Sequence, residues 1–302
     1  MHGPSMYPAY AAHDQFLEPA RARAEPWRLA VGLALGMVIF TGLQWAAIGV
    51  LIALLPPEDL MTLQTEMALG NTQMGVVLML GSFGMMVIAV AAVTAQVHQR
   101  SPLTLLGPLP LAYTQFRRVL AALVLLMLAV LVLPPSEFLS PLARNLPTGD
   151  WLRFLPLALP ALLIQVGAEE VLFRGYLQQQ LAARFRHPLV WMGVPSILFG
   201  LLHYRPDLPE TTWLLIAWAV LFGVLAADLT ARSGSLGPAI ALHLATNASA
   251  ILFVSSDDVL SGLALYRMPV SLADPAELWP YLLIDLGIMG TSWLAARLAL
   301  RC

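Results

Sequence analysis

Three short clusters of polar and charged side chains interrupt long apolar stretches in the second half of this sequence. Carboxylate, imidazole and amide groups are the side chains that activate water and stabilise the charge developing on an attacked carbonyl. In an apolar environment such groups are costly unless they are paired or functional, so each cluster is a candidate site. In chain order the clusters are Glu169 and Glu170 with Arg174, Phe199 with His203, and His243 with Asn247.

The first cluster has two adjacent carboxylates on one predicted helix. Neighbouring helical residues point about 100° apart, so Glu169 and Glu170 are expected to do different jobs. Glu170 and Arg174 are four residues apart, and this spacing predicts an ion pair on one helix face. That pairing leaves Glu169 directed toward a site. The alternative is an ion pair near the membrane edge that only fixes helix packing.

The other two clusters supply imidazole and amide groups. His243 and Asn247 are four residues apart, so both can point at one spot from the same helix face. Their alternative role is interhelical hydrogen bonding, which polar residues commonly provide in membranes. For His203, which is followed by Tyr204 and Arg205, the alternative is an interfacial residue without chemistry.

Composition predicts that these clusters lie inside a membrane. Apolar residues make up 59% of the 302 positions and charged residues 11%, with a mean hydropathy of +0.75. A soluble domain carries about 25% charged residues, so this chain needs the bilayer as solvent. We predict an all-α, polytopic helical bundle of about eight transmembrane helices over residues 27–302, preceded by a flexible polar tail over residues 1–26. The predicted spans are 28–55, 74–97, 117–134, 152–174, 188–204, 212–229, 236–255 and 278–299.

Positions along these spans predict that the clusters meet. Spans four and five read as a hairpin turning near His187, which places Glu169 and His203 about 27 and 24 Å from the turn. His243 and Asn247 lie about 12 and 18 Å past the next inward turn. One buried pocket could therefore hold all four side chains.

This set of side chains matches two kinds of hydrolytic site. In one, Glu169 takes a proton from water, His203 orients that water, and His243 with Asn247 stabilises the oxyanion on an attacked peptide carbonyl. In the other, Glu169, His203 and His243 hold a catalytic zinc ion. The sequence alone does not separate them. It contains no HExxH, GxSxG or GxGD motif.

Charge and motifs exclude several partners and orient the chain. A formal charge of −2 argues against a nucleic-acid partner, and no glycine-rich phosphate loop indicates a nucleotide. With the N-terminus inside, eleven arginines fall in inner segments and four in outer ones, so both termini are predicted to be cytoplasmic. The inner arginines are residues 21, 23, 28, 100, 117, 118, 184, 186, 232, 297 and 301.

The ordered clusters resemble the motifs of the CAAX prenyl endopeptidase and bacteriocin-processing family, also called the CPBP or Abi family. Its pattern of EExxxR, FxxxH and HxxxN is similar to the three clusters here, in the same order and on separate spans. The segments Leu172–Leu177 and Arg232–Leu236 also resemble the family's sequence around these motifs. The resemblance covers about residues 150–255.

The resemblance implies an all-helical membrane fold and an intramembrane CAAX-type peptidase. It implies Glu169 as the water-activating base, His203 as the residue that positions the water, His243 and Asn247 as the oxyanion hole, and Glu170 and Arg174 as supporting residues. It favours a glutamate mechanism that needs no cofactor over the zinc alternative. The expected partners are the lipid bilayer and a membrane-embedded or lipidated peptide, with a CAAX-like peptide as one candidate substrate. The expected location is a bacterial inner membrane.

Two other classes of protein remain open at this stage. One is a non-catalytic immunity factor or scaffold that uses the same cavity to bind a partner. The other is a transporter that uses Glu169, Asp228 or Asp285 as a relay. Asp228 is expected to reach the membrane interface, and Asp285, in the middle of the last span, is expected to pair with a polar group elsewhere in the bundle.

Overall fold

The computed structural model describes residues 8–132, 142–256 and 260–302. These residues form a helical bundle, as the apolar composition predicts. The α-helices are α1 (Ala11–Arg21), α2 (Pro26–Leu54), α3 (Pro57–Leu69), α4 (Gln73–Ser82), α5 (Gly84–Gln96), α6 (Leu109–Val132), α7 (Thr148–Glu170), α8 (Gln179–Arg184), α9 (Val194–Leu201), α10 (Thr212–Ser233), α11 (Gly237–Ala248) and α12 (Pro275–Leu300).

Six helical segments in the described part of the chain are long and apolar enough to cross a membrane. The fifth and seventh predicted spans correspond instead to shorter apolar helices, Leu189–Leu201 and Gly237–Phe253. The polytopic all-α class is therefore confirmed, whereas the count of eight spans is not. The six long segments are Pro26–Leu54, Gln73–Gln96, Pro102–Val130, Thr148–Arg184, Thr212–Ser233 and Pro275–Leu300.

Local sequence signals set the ends of these helices. The Thr72 side chain accepts a hydrogen bond from the Gly75 amide at the start of α4, and Asp274 accepts one at the start of α12. Gly234 follows α10 in the left-handed conformation (φ 72°), which glycine adopts without steric cost. The turn that it makes directs α11 back into the bundle beside α10.

Glycines allow close packing of the two helices that carry the second and third motifs. An added Cβ at Gly200 would lie 2.4 Å from Val220 and 2.9 Å from the Ile216 carbonyl, so only glycine lets α9 lie this close to α10. At Gly237 an added Cβ would overlap the Ala112 carbonyl, so α11 lies equally close to α6. The glycine beside Phe199 thus contributes to the position of the following His203.

The N-terminal segment differs from the flexible tail that was predicted for residues 1–26. Residues 1–7 lie outside the described residues, but α1 forms a helix whose apolar face is buried, with Phe16 1% exposed. The amide side chain of Gln179 donates to the Phe16 carbonyl, and Gln178 contacts His13. The prediction of a flexible tail was wrong for this helix because its mostly polar sequence also contains one stripe of apolar residues at helical spacing.

Asp228, which was expected to reach the membrane interface, has several partners within the protein. Its side chain is buried and forms a salt bridge with Arg232 at 2.9 Å. It accepts further hydrogen bonds from the hydroxyl of Tyr10 and the indole of Trp293. A sequence pattern could not show that three separate segments meet at one carboxylate, which here connects the N-terminus to α10 and α12.

A small sheet joins the long connections between helices. Its strands are Ala143–Arg144 (β1), Val254–Ser256 (β2) and Tyr266–Met268 (β3), in the order β1-β3-β2. β1 pairs with β3 antiparallel and β2 pairs with β3 in parallel. Residues 249–253, which directly precede β2, continue α11 as a π-helix. The sheet therefore anchors the end of the helix that carries His243 and Asn247.

Packing of α1 predicts a local effect of Phe16→Ala. Removing a buried phenylalanine costs about 3–5 kcal/mol, which weakens docking of the helix. We expect trypsin cleavage after Arg21 and Arg23, followed by mass spectrometry in detergent, to become at least about 10-fold faster. Gln15→Ala, on the exposed face of the same helix, should cleave like the wild type. Equally fast cleavage of the wild type and both variants would contradict the docked helix.

Candidate active site

All four residues predicted to act in catalysis line one cavity of about 330 Å³. Glu169 reaches it from the end of α7, His203 from just beyond α9, and His243 and Asn247 from α11. Much of the remaining wall is apolar or aromatic, as is usual for sites that bind small or extended ligands. The polar side chains at the wall are Gln165, Glu169, His203, Trp218, His243 and Asn247.

The helix changes its hydrogen-bonding pattern directly after the two glutamates. The α-helical part of α7 ends at Glu170, and residues Val171–Gln178 form a π-helix before α8 begins. π-helical segments are rare and occur frequently at functional sites. Arg174 lies within this segment, so the altered helix carries the charged partner of Glu170.

Glu170 is the centre of a buried chain of charged and polar groups. Its Oε1 atom accepts a hydrogen bond from Nη1 of Arg174 at 2.9 Å, as the spacing of four residues predicts. The same atom lies 2.8 Å from Nδ1 of His243. Glu170 and Arg174 are 0% and 1% exposed, so the pair is fully removed from solvent. An ionised carboxylate accepting from Nδ1–H fixes the orientation of the imidazole.

The imidazole of His243 lies between the two glutamates. Its Nε2 atom is 3.5 Å from Oε2 of Glu169, on the opposite side of the ring from Glu170. Ring faces of Phe222 and Phe199 enclose it, with centroids 4.8 and 5.9 Å away. The two adjacent glutamates therefore have different surroundings, but both of them lie beside the same histidine.

Aromatic rings and a carbonyl complete the surroundings of Arg174. Its guanidinium lies 4.8 Å from the ring centroid of Phe199, and Nη2 donates to the carbonyl of Gly223. A buried guanidinium is tolerated when its donors and planar face are occupied in this way. The phenylalanine of the second motif thus connects the arginine of the first motif to the histidine of the third.

His203 presents one nitrogen for chemistry. Its Nδ1 atom lies 3.0 Å from the carbonyl oxygen of Phe199, which can only accept, so Nδ1 carries a proton. In the neutral ring Nε2 then has a lone pair. Because His203 lines the cavity, this nitrogen can accept a hydrogen bond from a water molecule there.

Gln165 is a site residue that our sequence analysis missed. It is 6% exposed, lines the cavity, and its Oε1 atom accepts a hydrogen bond from Nδ2 of Asn247 at 3.0 Å. A signal existed, because Gln165 precedes Glu169 by four residues and therefore shares its helix face. An uncharged amide in an apolar span did not stand out beside the paired glutamates.

Asp285 pairs with the indole nitrogen of Trp218, the kind of polar partner that was expected for it. Trp218 lines the cavity and stacks on Phe222. Asp285 itself is not part of the cavity wall. Its hydrogen bond fixes the orientation of an aromatic wall residue rather than supplying a group to the site.

The zinc alternative requires Glu169, His203 and His243 to converge on one ion. Within residues 8–132, 142–256 and 260–302, no group of three His, Cys, Asp or Glu side chains is placed to hold one. We therefore derive no chemical step through a metal.

Comparison with known proteins covers about a third of the chain. The family model for type II CAAX prenyl endopeptidase Rce1-like proteins matches residues 151–249. A protein of Bacillus subtilis (strain 168), the uncharacterized protein YyaK, is 30% identical over 115 residues. That alignment covers 36% of this chain and 38% of the relative, so the chain spans less than two fifths of the relative's length.

No solved structure matches the chain. The matched segment contains Glu169, Glu170, Arg174, His203, His243 and Asn247. The similarity to type II CAAX prenyl endopeptidase Rce1-like proteins is therefore that of residues 151–249, the segment of this membrane protein that carries every predicted site residue.

Proposed function

We propose that this protein is an intramembrane endopeptidase whose active site is the cavity lined by Glu169, His203, His243 and Asn247. The observation that carries the proposal is that three separate helical segments bring a carboxylate, two imidazoles and an amide to one cavity. The family match supports a CAAX-type peptidase. A farnesylated peptide ending in a CAAX sequence is the substrate class to test first.

In the proposed reaction Glu169 is the general base. A water molecule held between Glu169 and Nε2 of His203 gives a proton to the Glu169 carboxylate as its oxygen bonds to the scissile carbonyl carbon. When the carbon–nitrogen bond breaks, the same proton passes from Glu169 to the leaving amine. Atoms and charge balance without a further reactant. The open nitrogen of His203 supports its role in holding the water.

Asn247 and His243 are proposed to stabilise the oxyanion. One N–H of the Asn247 amide donates to Gln165, which leaves its second N–H for the developing negative charge. His243 contributes through Nε2, since Nδ1 is bound to Glu170. Donors fixed before the substrate arrives stabilise a transition state without reorganising during the reaction.

Charge balance supports a proton shared between Glu169 and His243. With Arg174 positive and Glu170 negative, the four groups are neutral when one proton lies on either Glu169 or Nε2 of His243. A neutral set costs far less inside a membrane than one with a net charge. The 3.5 Å separation of Nε2 and Oε2 allows this proton to remain near the base during the reaction.

The two non-enzymatic alternatives receive less support. A proton or solute relay would need carboxylates in series, but Asp228 is paired with Arg232 and Asp285 with Trp218, and neither lines the cavity. An immunity factor or scaffold would use the cavity for binding alone. It would not require the buried chain from Arg174 through Glu170 to His243 behind the open carboxylate.

We further propose a bacterial inner membrane as the location, with both termini in the cytoplasm. The arginine distribution supports this orientation. Arg28 lies in the first turn of Pro26–Leu54 and Arg297 in the last turn of Pro275–Leu300, the helix ends that this orientation places in the cytoplasm.

Glu169→Gln keeps the size of the side chain but removes the base. We expect kcat/KM for a farnesylated CAAX peptide to fall by about 10²–10⁴-fold, the range for loss of a general base. Mass spectrometry of the released tripeptide measures the effect with purified protein in detergent. Glu58→Gln, at an exposed position in α3, is the matched control and should cut at the wild-type rate. Full activity of Glu169→Gln would contradict the proposed mechanism.

Glu170→Gln should have a different signature because it breaks a buried ion pair. Loss of one partner of such a pair costs about 3–5 kcal/mol, so the melting temperature should drop together with activity. Glu169→Gln, which removes no short ion pair, should melt close to the wild-type temperature. Thermal unfolding of both variants in one detergent decides the matter. Identical melting behaviour of the two variants would show that the adjacent glutamates do not have separate jobs.

Removal of metal ions tests the zinc alternative. We expect cleavage to continue at the wild-type rate after exhaustive treatment with EDTA and 1,10-phenanthroline, because the proposed steps use protein groups and water alone. The same treatment of a known zinc peptidase provides the control. Loss of activity that added zinc restores would replace the glutamate mechanism with a metal mechanism.

A further inference from the structure

Gln165 has a polar group that the proposed reaction does not use. Its side chain is 6% exposed, and its oxygen is committed to Nδ2 of Asn247. Its Nε2 group has no hydrogen-bond partner in the part of the chain that the structure describes. An amide is planar, so the bond made by its oxygen also fixes the direction of its two N–H donors.

An unpaired amide donor in an apolar site is a binding opportunity. The Nε2 group of Gln165 is accessible from the cavity, so a ligand carbonyl that enters can accept a hydrogen bond from it. A peptide entering a membrane cavity brings carbonyl groups that lose their water and need such donors. The apolar wall residues Met79, Leu80 and Phe83 offer none.

The other donors on the cavity wall are already engaged. Nε1 of Trp218 donates to Asp285, Nδ1 of His203 to the carbonyl of Phe199, and Nδ1 of His243 to Glu170. The proposed oxyanion uses the second N–H of Asn247 and Nε2 of His243. Among the described residues at the wall, Gln165 is the side chain with a donor left over.

From this geometry we propose that Gln165 is a substrate-binding residue whose Nε2 donates to a backbone carbonyl next to the scissile bond. This assignment rests on the proposed peptidase function. The scissile carbonyl itself is occupied by Asn247 and His243, so the acceptor is the carbonyl of a flanking peptide bond. Gln165 would then recognise an extended peptide main chain, independently of the side chains or the lipid group of the substrate.

A cycle of protein and substrate changes tests the contact. The protein carries Glu169→Gln, so that peptide stays intact, and the probe is a fluorescent farnesylated CAAX peptide. Two analogues replace one flanking peptide bond each, before or after the scissile bond, by an E-alkene that keeps the shape but removes the carbonyl. Dissociation constants are measured with and without Gln165→Met.

We expect Gln165→Met to weaken binding of the all-amide peptide by about 3–10-fold, the equivalent of one net hydrogen bond. One of the two alkene analogues should bind the protein that keeps Gln165 more weakly than the all-amide peptide does, by a similar factor. Against Gln165→Met, that analogue should bind less than about 2-fold more weakly than the all-amide peptide, because this variant has already lost the donor. Gln64→Met, an exposed glutamine in α3, is the control and should bind like its parent.

A second variant separates substrate binding from positioning of Asn247. Gln165→Glu keeps an oxygen that accepts from Asn247 but removes the N–H donors, and it also serves if Gln165→Met fails to fold. Binding as weak as that of Gln165→Met supports a direct contact. The assignment would be overturned if Gln165→Glu bound the peptide with wild-type affinity. It would also be overturned if each alkene analogue lost the same affinity with the protein that keeps Gln165 as with Gln165→Met.

The outcomes also distinguish failure of this assignment from failure of the proposed function. If the protein cuts the peptide when Glu169 is present, but the alkene analogues lose the same affinity with and without Gln165→Met, it is a peptidase without this contact. A protein that binds the peptide without cutting it, but shows the coupling, uses Gln165 for recognition alone. A protein that neither binds nor cuts the peptide overturns both proposals.

Discussion

One carboxylate oxygen, Oε1 of Glu170, connects the parts of this site. It accepts from Arg174 on its own helix and from His243 on α11, and both bonds are shorter than 3 Å. Because the pair with Arg174 is buried, a change in either partner leaves an uncompensated charge inside the membrane. The position of α11 relative to α7 is therefore fixed by electrostatics as well as by packing. Asn247 lies one helical turn beyond His243, so the bond between Glu170 and His243 also helps to position Asn247.

The apolar surroundings explain how so few polar groups define the site. In water each of these side chains would have many partners, but in a membrane each must find one within the protein. The engaged donors on the wall follow this rule, with Trp218 bound to Asp285 and His203 to a main-chain carbonyl. Among the described residues at the wall, the groups that stay open include the carboxylate of Glu169, Nε2 of His203, the second N–H of Asn247 and the N–H groups of Gln165. An incoming peptide therefore meets a base, an acceptor and two amide donors in a wall that is otherwise largely apolar.

Sequence reasoning went furthest where spacing along one helix was enough. The Glu170–Arg174 pair, the shared face of His243 and Asn247, and the helical membrane class follow from period and composition. It fell short where partners come from distant segments. The contact between Glu170 and His243 spans 73 residues, and the bond of Gln165 to Asn247 spans 82. The docked helix α1 was missed because its buried apolar stripe is short. Hydropathy located the apolar segments but did not give the number of membrane-spanning helices, because two of these segments form helices shorter than a span.

The central claim is that a peptide is cut where Glu169, His203, His243 and Asn247 meet. A structure of the Glu169→Gln variant with an uncleaved farnesylated CAAX peptide bound tests it most directly. The account predicts the scissile carbonyl carbon within reach of a single water held by residue 169 and His203, with the carbonyl oxygen toward Asn247. A peptide bound outside this cavity, or with its scissile bond remote from residue 169, would contradict it.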